Sequence, residues 1–170
     1  FYLQGDGAAE FLRGRIAGGL PKVGRMNLAY FADNRGRILT EMSVMRHDQD
    51  DFTLITAAAA QWHDFEVLRD SMPAGLSLRD ATGEYATLIV SGPTSRVVLA
   101  GLSDADLTLG WLSLQYAKVA GHQAALARVS FAGELGWEVH AKPDAMPAIY
   151  DALRAAGAVP FGMYALNSLR

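Results

Sequence analysis

The sequence predicts an α+β fold, with a mainly antiparallel sheet flanked by helices. Two observations carry that expectation. The β-rich runs come in hairpin pairs joined by turn-forming residues, and helical stretches are inserted between the pairs. An apolar fraction of 51% against 19% charged gives the 170 residues material for one real core. The whole of 1–170 is therefore expected to be one domain.

Residues 1–4 read as a short strand, and Gly5-Asp6-Gly7 as a turn into a helix over 8–17, with Asp6 placed to cap it. Gly18-Gly19 ends that helix and Pro21 bars its continuation. Residues 25–32 and 37–45 form a hairpin about Asp33-Asn34-Arg35-Gly36. A polar turn over 47–51 leads to a third strand over 52–56. Residues 57–72 read as a helix with Trp62, Phe65 and Leu68 as its apolar stripe, and Arg69 and Asp70 opposite. Pro73 and Gly75 break it. Short strands over 76–80 and 86–90 precede Gly92-Pro93 and a helix over 94–101. After a polar linker at 104–109, residues 116–120 and 124–131 pair around Gly121. Gly133-Glu134-Leu135-Gly136 turns the chain into a strand over 137–141. A helix over 144–156, capped by Gly157, and the start of another over 163–170 follow. No internal repeat and no low-complexity tract emerges.

Composition excludes several function classes. Net charge is -3, and 12 of the 15 basic residues are arginines scattered along the chain, so there is no nucleic-acid footprint. The absence of cysteine removes disulfides, thiolate metal sites and thiolate nucleophiles. It fits a reducing compartment, the cytoplasm or, in a eukaryote, the mitochondrial matrix. No apolar run approaches the roughly 20 residues of a membrane span. The start lacks a charged leader and an apolar stretch, and the last helix stops without Gly or Pro. Both ends read as cuts, so a longer multidomain chain is expected.

Gly5-Asp6-Gly7 follows a strand and opens a helix, as a dinucleotide fingerprint does, but Glu10 stands at the third glycine position and would repel a pyrophosphate. No Walker-type loop and no Gly-x-Ser-x-Gly elbow is present. The histidines at 47, 63, 122 and 140 have no short metal-ligand spacing. His63-Asp64, on a helix, could be an orienting pair, but a solvated helix edge is the preferred reading. The segment 128–140 is more informative. By strand alternation Glu138 and His140 share one face, and Trp137 and Val139 the other. A carboxylate beside aromatic walls suits a flat heterocycle with amide-like N–H donors. From the residues alone, an ordinary hairpin with one buried and one solvated face is the preferred reading of the same pattern. Glu41 sits within a β-rich strand. Partly buried, it would handle a proton or stabilise an iminium; on a solvated face it is merely an outward residue.

Four strings, in order and with matching spacing, give a resemblance. They are Gly36-Arg37-Ile38-Leu39-Thr40-Glu41-Met42-Ser43-Val44, Gly92-Pro93-Thr94-Ser95-Arg96, the run from Arg128 to Glu138, and Phe161-Gly162-Met163-Tyr164-Ala165-Leu166-Asn167-Ser168-Leu169-Arg170. Together they resemble the folate-binding region of the glycine-cleavage T-protein (aminomethyltransferase) superfamily, over almost the whole chain. Gly-Glu-Leu-Gly-Trp-Glu and Tyr-Ala-Leu-Asn-Ser-Leu-Arg look most like the C-terminal region of dimethylglycine and sarcosine dehydrogenases.

The resemblance implies tetrahydrofolate as cofactor, with FAD only in a separate upstream domain. It implies a methylated-amine-derived iminium or formaldehyde as the second substrate, 5,10-methylenetetrahydrofolate as product, and adjacent domains of the same chain as partners. It also assigns roles. Glu138 matches the carboxylate that grips the pterin, Phe131 an aromatic lining the pterin pocket, and Arg170 an arginine near the pterin and the folate tail. Glu41 matches the second aspartate of a family pair near the reactive folate nitrogens, the first being replaced by Thr40. Leu28 falls where the T-protein has a pocket tyrosine. A free-standing aminomethyltransferase or folate-dependent demethylase, and a non-catalytic folate-binding regulatory protein, are the alternative readings.

Overall fold

The structure, a computed structural model, describes residues 1–70 and 72–170. It divides into two compact units, Phe1–Thr82 and Gly83–Arg170. Each is a sheet with helices packed on one face. Every pairing between neighbouring strands is antiparallel, as expected from the hairpin-rich sequence.

The first unit contains β1 (Tyr2–Gln4), α1 (Ala8–Arg13), β2 (Ile16–Ala17), β3 (Arg25–Ala32), β4 (Ile38–Asp48), β5 (Asp51–Ile55), α2 (Gln61–Arg69) and β6 (Ser77–Arg79). Its sheet runs β2-β3-β4-β5-β1-β6. Leu3, Leu12, Phe31, Met42, Val44, Phe52, Leu54 and Leu68 form its core. The β3–β4 turn is held by Asp33, whose carboxylate accepts from the Arg35 and Arg37 amides and from the Arg37 guanidinium. The Arg37 amide first, then its side chain, hold the Asp33 carboxyl below the usual carboxylate range.

Local expectations fail here for identifiable reasons. The helix expected over 8–17 stops at Arg13, because Ile16 and Ala17 pair instead with Phe31 and Tyr30. Asp6 does not cap it. Gly7 occupies the cap position in the left-handed region, and the Ala9 amide donates to Asp50 Oδ1 at 2.7 Å. The helix expected over 57–72 narrows to α2 after a 3-10 turn, and Ser71 lies outside the described residues. Trp62 is 76% exposed. At 3.6 residues per turn it stands about 120° from Leu68, whereas Asp64 stands only about 40° away. Asp64 is therefore fully buried, bonded by the Thr56 hydroxyl and by His63 Nδ1, not on a solvated edge.

The second unit contains β7 (Ala86–Ser91), α3 (Ser95–Ala100), β8 (Leu114–Val119), β9 (His122–Ala127), β10 (Gly136–Ala141), α4 (Met146–Ala155) and α5 (Met163–Ser168). Its sheet runs β7-β10-β9-β8. Val90, Leu99, Val119, Leu126, Trp137, Val139, Ile149 and Leu153 make its core. β9 ends at Ala127, short of the expected 131, since the chain leaves the sheet before Ser130.

The two units repeat one another, although no repeat is visible in the sequence. Each begins strand, glycine, helix, then runs three antiparallel strands whose last returns beside the first, then a second helix. The order β3-β4-β5-β1 in one is β8-β9-β10-β7 in the other. Gly5 and Gly92 have φ of 123° and 111°, and their carbonyls accept from Ala8 and Ser95 at 3.0 and 3.1 Å. Leu12 and Leu99 fall at the same offset, both fully buried. Phe52 pairs with Leu3 as Trp137 pairs with Val90, and each aromatic carries a guanidinium, Arg46 at 5.4 Å and Arg128 at 4.9 Å. Between 3–12 and 90–99 only the glycine and the second leucine are identical.

The two glycines are predicted to differ in tolerance. An alanine at either would sit in a left-handed conformation costing about 1–3 kcal/mol. At Gly5 its Cβ would also lie 2.9 Å from the Gly75 carbonyl, whereas nothing lies within 4 Å at Gly92. Gly5→Ala should lower the denaturant midpoint more than Gly92→Ala; equal losses would refute the clash. The β3–β4 turn should also loosen in acid. Asp33 has a depressed folded pKa, so its contribution is present above the unfolded value near 3.9 and is lost as pH falls through the folded one. Protection of the Arg37 amide should fall below about pH 4 in wild type and be low at every pH in Asp33→Ala.

Candidate functional site

β10 lies between β7 and β9, bonded to both. Its alternation is the one expected. Trp137 and Val139 are buried in the core at 1% and 0% exposure, and Glu138 and His140 face the other way. His140 Nε2 is 3.1 Å from Glu138 Oε2, and its Nδ1 is 2.8 Å from Thr87 Oγ1 on the neighbouring strand. Glu138 is partly exposed, and its Oε1 has no hydrogen-bond partner among the described residues.

The loop before β10 is organised by Glu134. Its Oε2 accepts from the Ser130 hydroxyl at 2.9 Å and from the Ala132 amide at 3.1 Å, while the Gly133 amide donates to Ser130 Oγ. The other oxygen, Oε1, is buried without a partner. Gly136 has no room for a side chain, because a Cβ would meet the Val129 carbonyl at 3.0 Å. Phe131 projects from this loop, 42% exposed, and the Arg170 guanidinium lies 4.9 Å from its ring centre. On the opposite side Arg128 packs on Trp137 and donates to the Gly136 carbonyl.

Glu41 and Leu28 belong to the first unit. Register pairs Tyr30 with Glu41 and Leu28 with Ser43, so these four share the face opposite Met42 and Val44. The alternative that sequence left open is decided: Glu41 is exposed, and Leu28 is half exposed. Phe131 and Arg170 are thus in contact, Glu138 is carried on the adjoining strand, and Leu28 and Glu41 are diagonal neighbours on another sheet. Sequence reasoning passed over Tyr30, which stands directly across from Glu41, and Ser130 and Thr87, whose partners are set by a loop and a strand pairing.

A cleft of 520 Å³ lies elsewhere in the second unit, between β7, Val98, Leu153 and residues 157–163. None of Glu138, Phe131 and Arg170 lines it. The Gly5-Asp6-Gly7 turn leads into a helix of only six residues whose Glu10 is exposed and paired with Arg13, in keeping with an ordinary turn. No group of His, Asp or Glu among the described residues could hold a metal ion. No helix among them is long and apolar enough to cross a membrane.

The family model of the GCVT N-terminal domain, the glycine-cleavage T-protein, matches residues 1–170. The chain belongs to this family. Relatives of the GCVT chain include human mitochondrial dimethylglycine dehydrogenase, 31% identical over 180 residues, covering 100% of this chain and 21% of that protein. An aminomethyltransferase of Thermus thermophilus is 32% identical over 175 residues, covering 100% of this chain and 50% of that protein. The chain thus spans between a fifth and a half of these curated relatives. The crystal structure of glycine cleavage system aminomethyltransferase T from Bartonella henselae has the same fold, with a TM-score of 0.82 at 24% identity over 99% of this chain and 46% of that one. The α+β, antiparallel expectation and the family resemblance both hold.

The Glu134 carboxylate makes a testable claim about this loop. Glu134→Ala leaves a hydroxyl and an amide without their acceptor and should cost about 1–3 kcal/mol in denaturant unfolding. Glu134→Gln keeps an oxygen able to accept both bonds and should lose markedly less. Equal losses would mean the side chain acts by packing alone.

Proposed function

We propose that this chain is the tetrahydrofolate-binding region of a one-carbon-transfer enzyme related to dimethylglycine and sarcosine dehydrogenases. The observation that carries the reading is Glu138. One carboxylate oxygen is committed to His140 and the other is uncommitted on a partly exposed face. A pterin presents adjacent N–H donors, and a carboxylate is the side chain that accepts them. Phe131, with Arg170 against its ring, supplies an aromatic face and a cation suited to the heterocycle and the acidic tail. These donor and acceptor types fit the ligand.

Bound tetrahydrofolate would supply two nucleophilic nitrogens, N5 and N10, that take up a one-carbon unit as 5,10-methylenetetrahydrofolate. The chain's own part is to bind and orient. Glu138 holds the ring, Phe131 lines it, and Arg170 meets the tail. For Leu28, and for Glu41, exposed beside Tyr30 on the first unit's sheet, the roles proposed near the ring and its reactive nitrogens rest on the family resemblance alone. The electrophile, an iminium or formaldehyde from a methylated amine, would come from adjacent domains of the same chain, where any FAD would also reside. Cytoplasm or mitochondrial matrix suits this chemistry.

Calorimetric titration of the full-length chain with tetrahydrofolate tests the reading. Saturable binding is expected, weakened about 10- to 100-fold in Glu138→Ala by loss of hydrogen bonds to a charged group. Affinity unchanged in the variant would remove Glu138 from the site, and no binding by folded wild type would end the folate reading.

A further inference from the structure

We propose that His140, oriented by Thr87, is a positioning residue that presents Glu138 to its ligand. This rests on the folate reading above and assigns a role that the resemblance does not carry. The two residues are two apart on β10, so the pleat sets their side chains side by side on one face. His140 is 8% exposed, and both of its ring nitrogens are occupied.

The chemistry of the partners fixes the protons. An ionised carboxylate only accepts, so Nε2 carries the hydrogen given to Glu138 Oε2. In the neutral ring Nδ1 is then an acceptor, and the Thr87 hydroxyl, which can donate, donates to it. The chain of bonds is Thr87 Oγ1–H to His140 Nδ1, then His140 Nε2–H to Glu138 Oε2. That is the direction of the chain for an ionised Glu138 and a neutral His140.

The consequence is a carboxylate held in one rotamer before any ligand arrives. A partly exposed glutamate on a strand otherwise samples several rotamers, and a ligand that selects one of them binds more weakly for doing so. With Oε2 held, Oε1 is left as the acceptor for a ring N–H. The ligand class is a flat heterocycle carrying at least one N–H donor on its edge, the reduced pterin of the proposed function among them. Thr87 acts at one remove. Bonded to the far side of the ring, it holds the imidazole in the orientation that aims Nε2 at Glu138.

The test is tetrahydrofolate titration of the full-length chain in five variants: His140→Leu, His140→Gln, Thr87→Val, Glu138→Ala, and His140→Leu combined with Glu138→Ala. Imidazole nitrogen NMR of the wild type accompanies them. His140→Leu and Thr87→Val should each weaken binding about 3- to 10-fold, the scale of one hydrogen bond. His140→Gln, whose amide N–H reaches the same oxygen, should recover most of it. On top of Glu138→Ala the His140→Leu change should cost little more, because the side chain that His140 positions is gone. The spectrum should show the Nε2–H tautomer with or without folate. Wild-type affinity in both His140→Leu and Thr87→Val, or an equal cost of His140→Leu in the Glu138→Ala background, would overturn the proposal while leaving the folate site intact. Thr87→Val keeps the imidazole in place, so it decides the matter by itself should His140→Leu fail to fold. Absence of folate binding in the wild type would instead remove the proposed function. An Nδ1–H tautomer would overturn the positioning chain independently of any ligand.

Discussion

The second unit depends on a strand that is hydrogen-bonded along both edges. With β7 on one side and β9 on the other, β10 cannot turn over, and its two-residue period assigns every side chain to a face. A slip by one residue would put Glu138 and His140 into the core and Trp137 and Val139 outside. Burying Trp137 and Val139 is worth about 1.5–3 kcal/mol each, and burying an unpaired carboxylate costs more than either returns. The hydrophobic term and the desolvation term agree, so core packing alone decides that Glu138 faces outward.

The loop ahead of β10 extends the same constraint to residues outside the sheet. Gly136 must approach the Val129 carbonyl closely, and Arg128 ties the Gly136 carbonyl while lying on Trp137. That leaves residues 130–134 to close on the other side, where Glu134 gathers a hydroxyl and an amide. Phe131 is presented by this closure and not by any strand. The aromatic and the carboxylate assigned to the pterin are thus placed by two different devices, a turn and a pleat.

What the sequence made legible follows from range. Strand alternation on β10, the Asp33 turn and the antiparallel class all rest on contacts a few residues apart, and the structure bears them out. Asp6 and Asp50 compete for the same helix start, and the winner is 41 residues away from its donor. The end of α1 is lost to a pairing of Ile16 with Phe31. The misplaced stripe on α2 has a different cause: three apolar residues at i, i+3 and i+6 drift around the helix, and a buried Asp64 is missed when charge is taken as exposure. Among site residues, Glu138 and His140 are visible as one face, whereas Thr87 is bonded to His140 across 53 positions. No local pattern contains such a pair.

The repeat sharpens the assignment of chemistry to one unit. In both, a strand returns beside the first strand and buries an aromatic under an arginine, Phe52 under Arg46 and Trp137 under Arg128. Those pairs belong to the scaffold, since both copies keep them with little sequence identity. The next residue differs. After Phe52 comes Thr53, whose hydroxyl is bonded by His47 Nε2 at 2.7 Å; after Trp137 comes Glu138, bonded by His140. One framework therefore carries a neutral hydroxyl–imidazole pair in the first unit and a carboxylate–imidazole pair in the second. The histidines come from different strands, His47 from β4 and His140 from β10 itself, so the shared position is that of Thr53 and Glu138 alone. A carboxylate there brings acceptors and no proton to give, where the first unit has a hydroxyl, and the scaffold pairs do not require that difference.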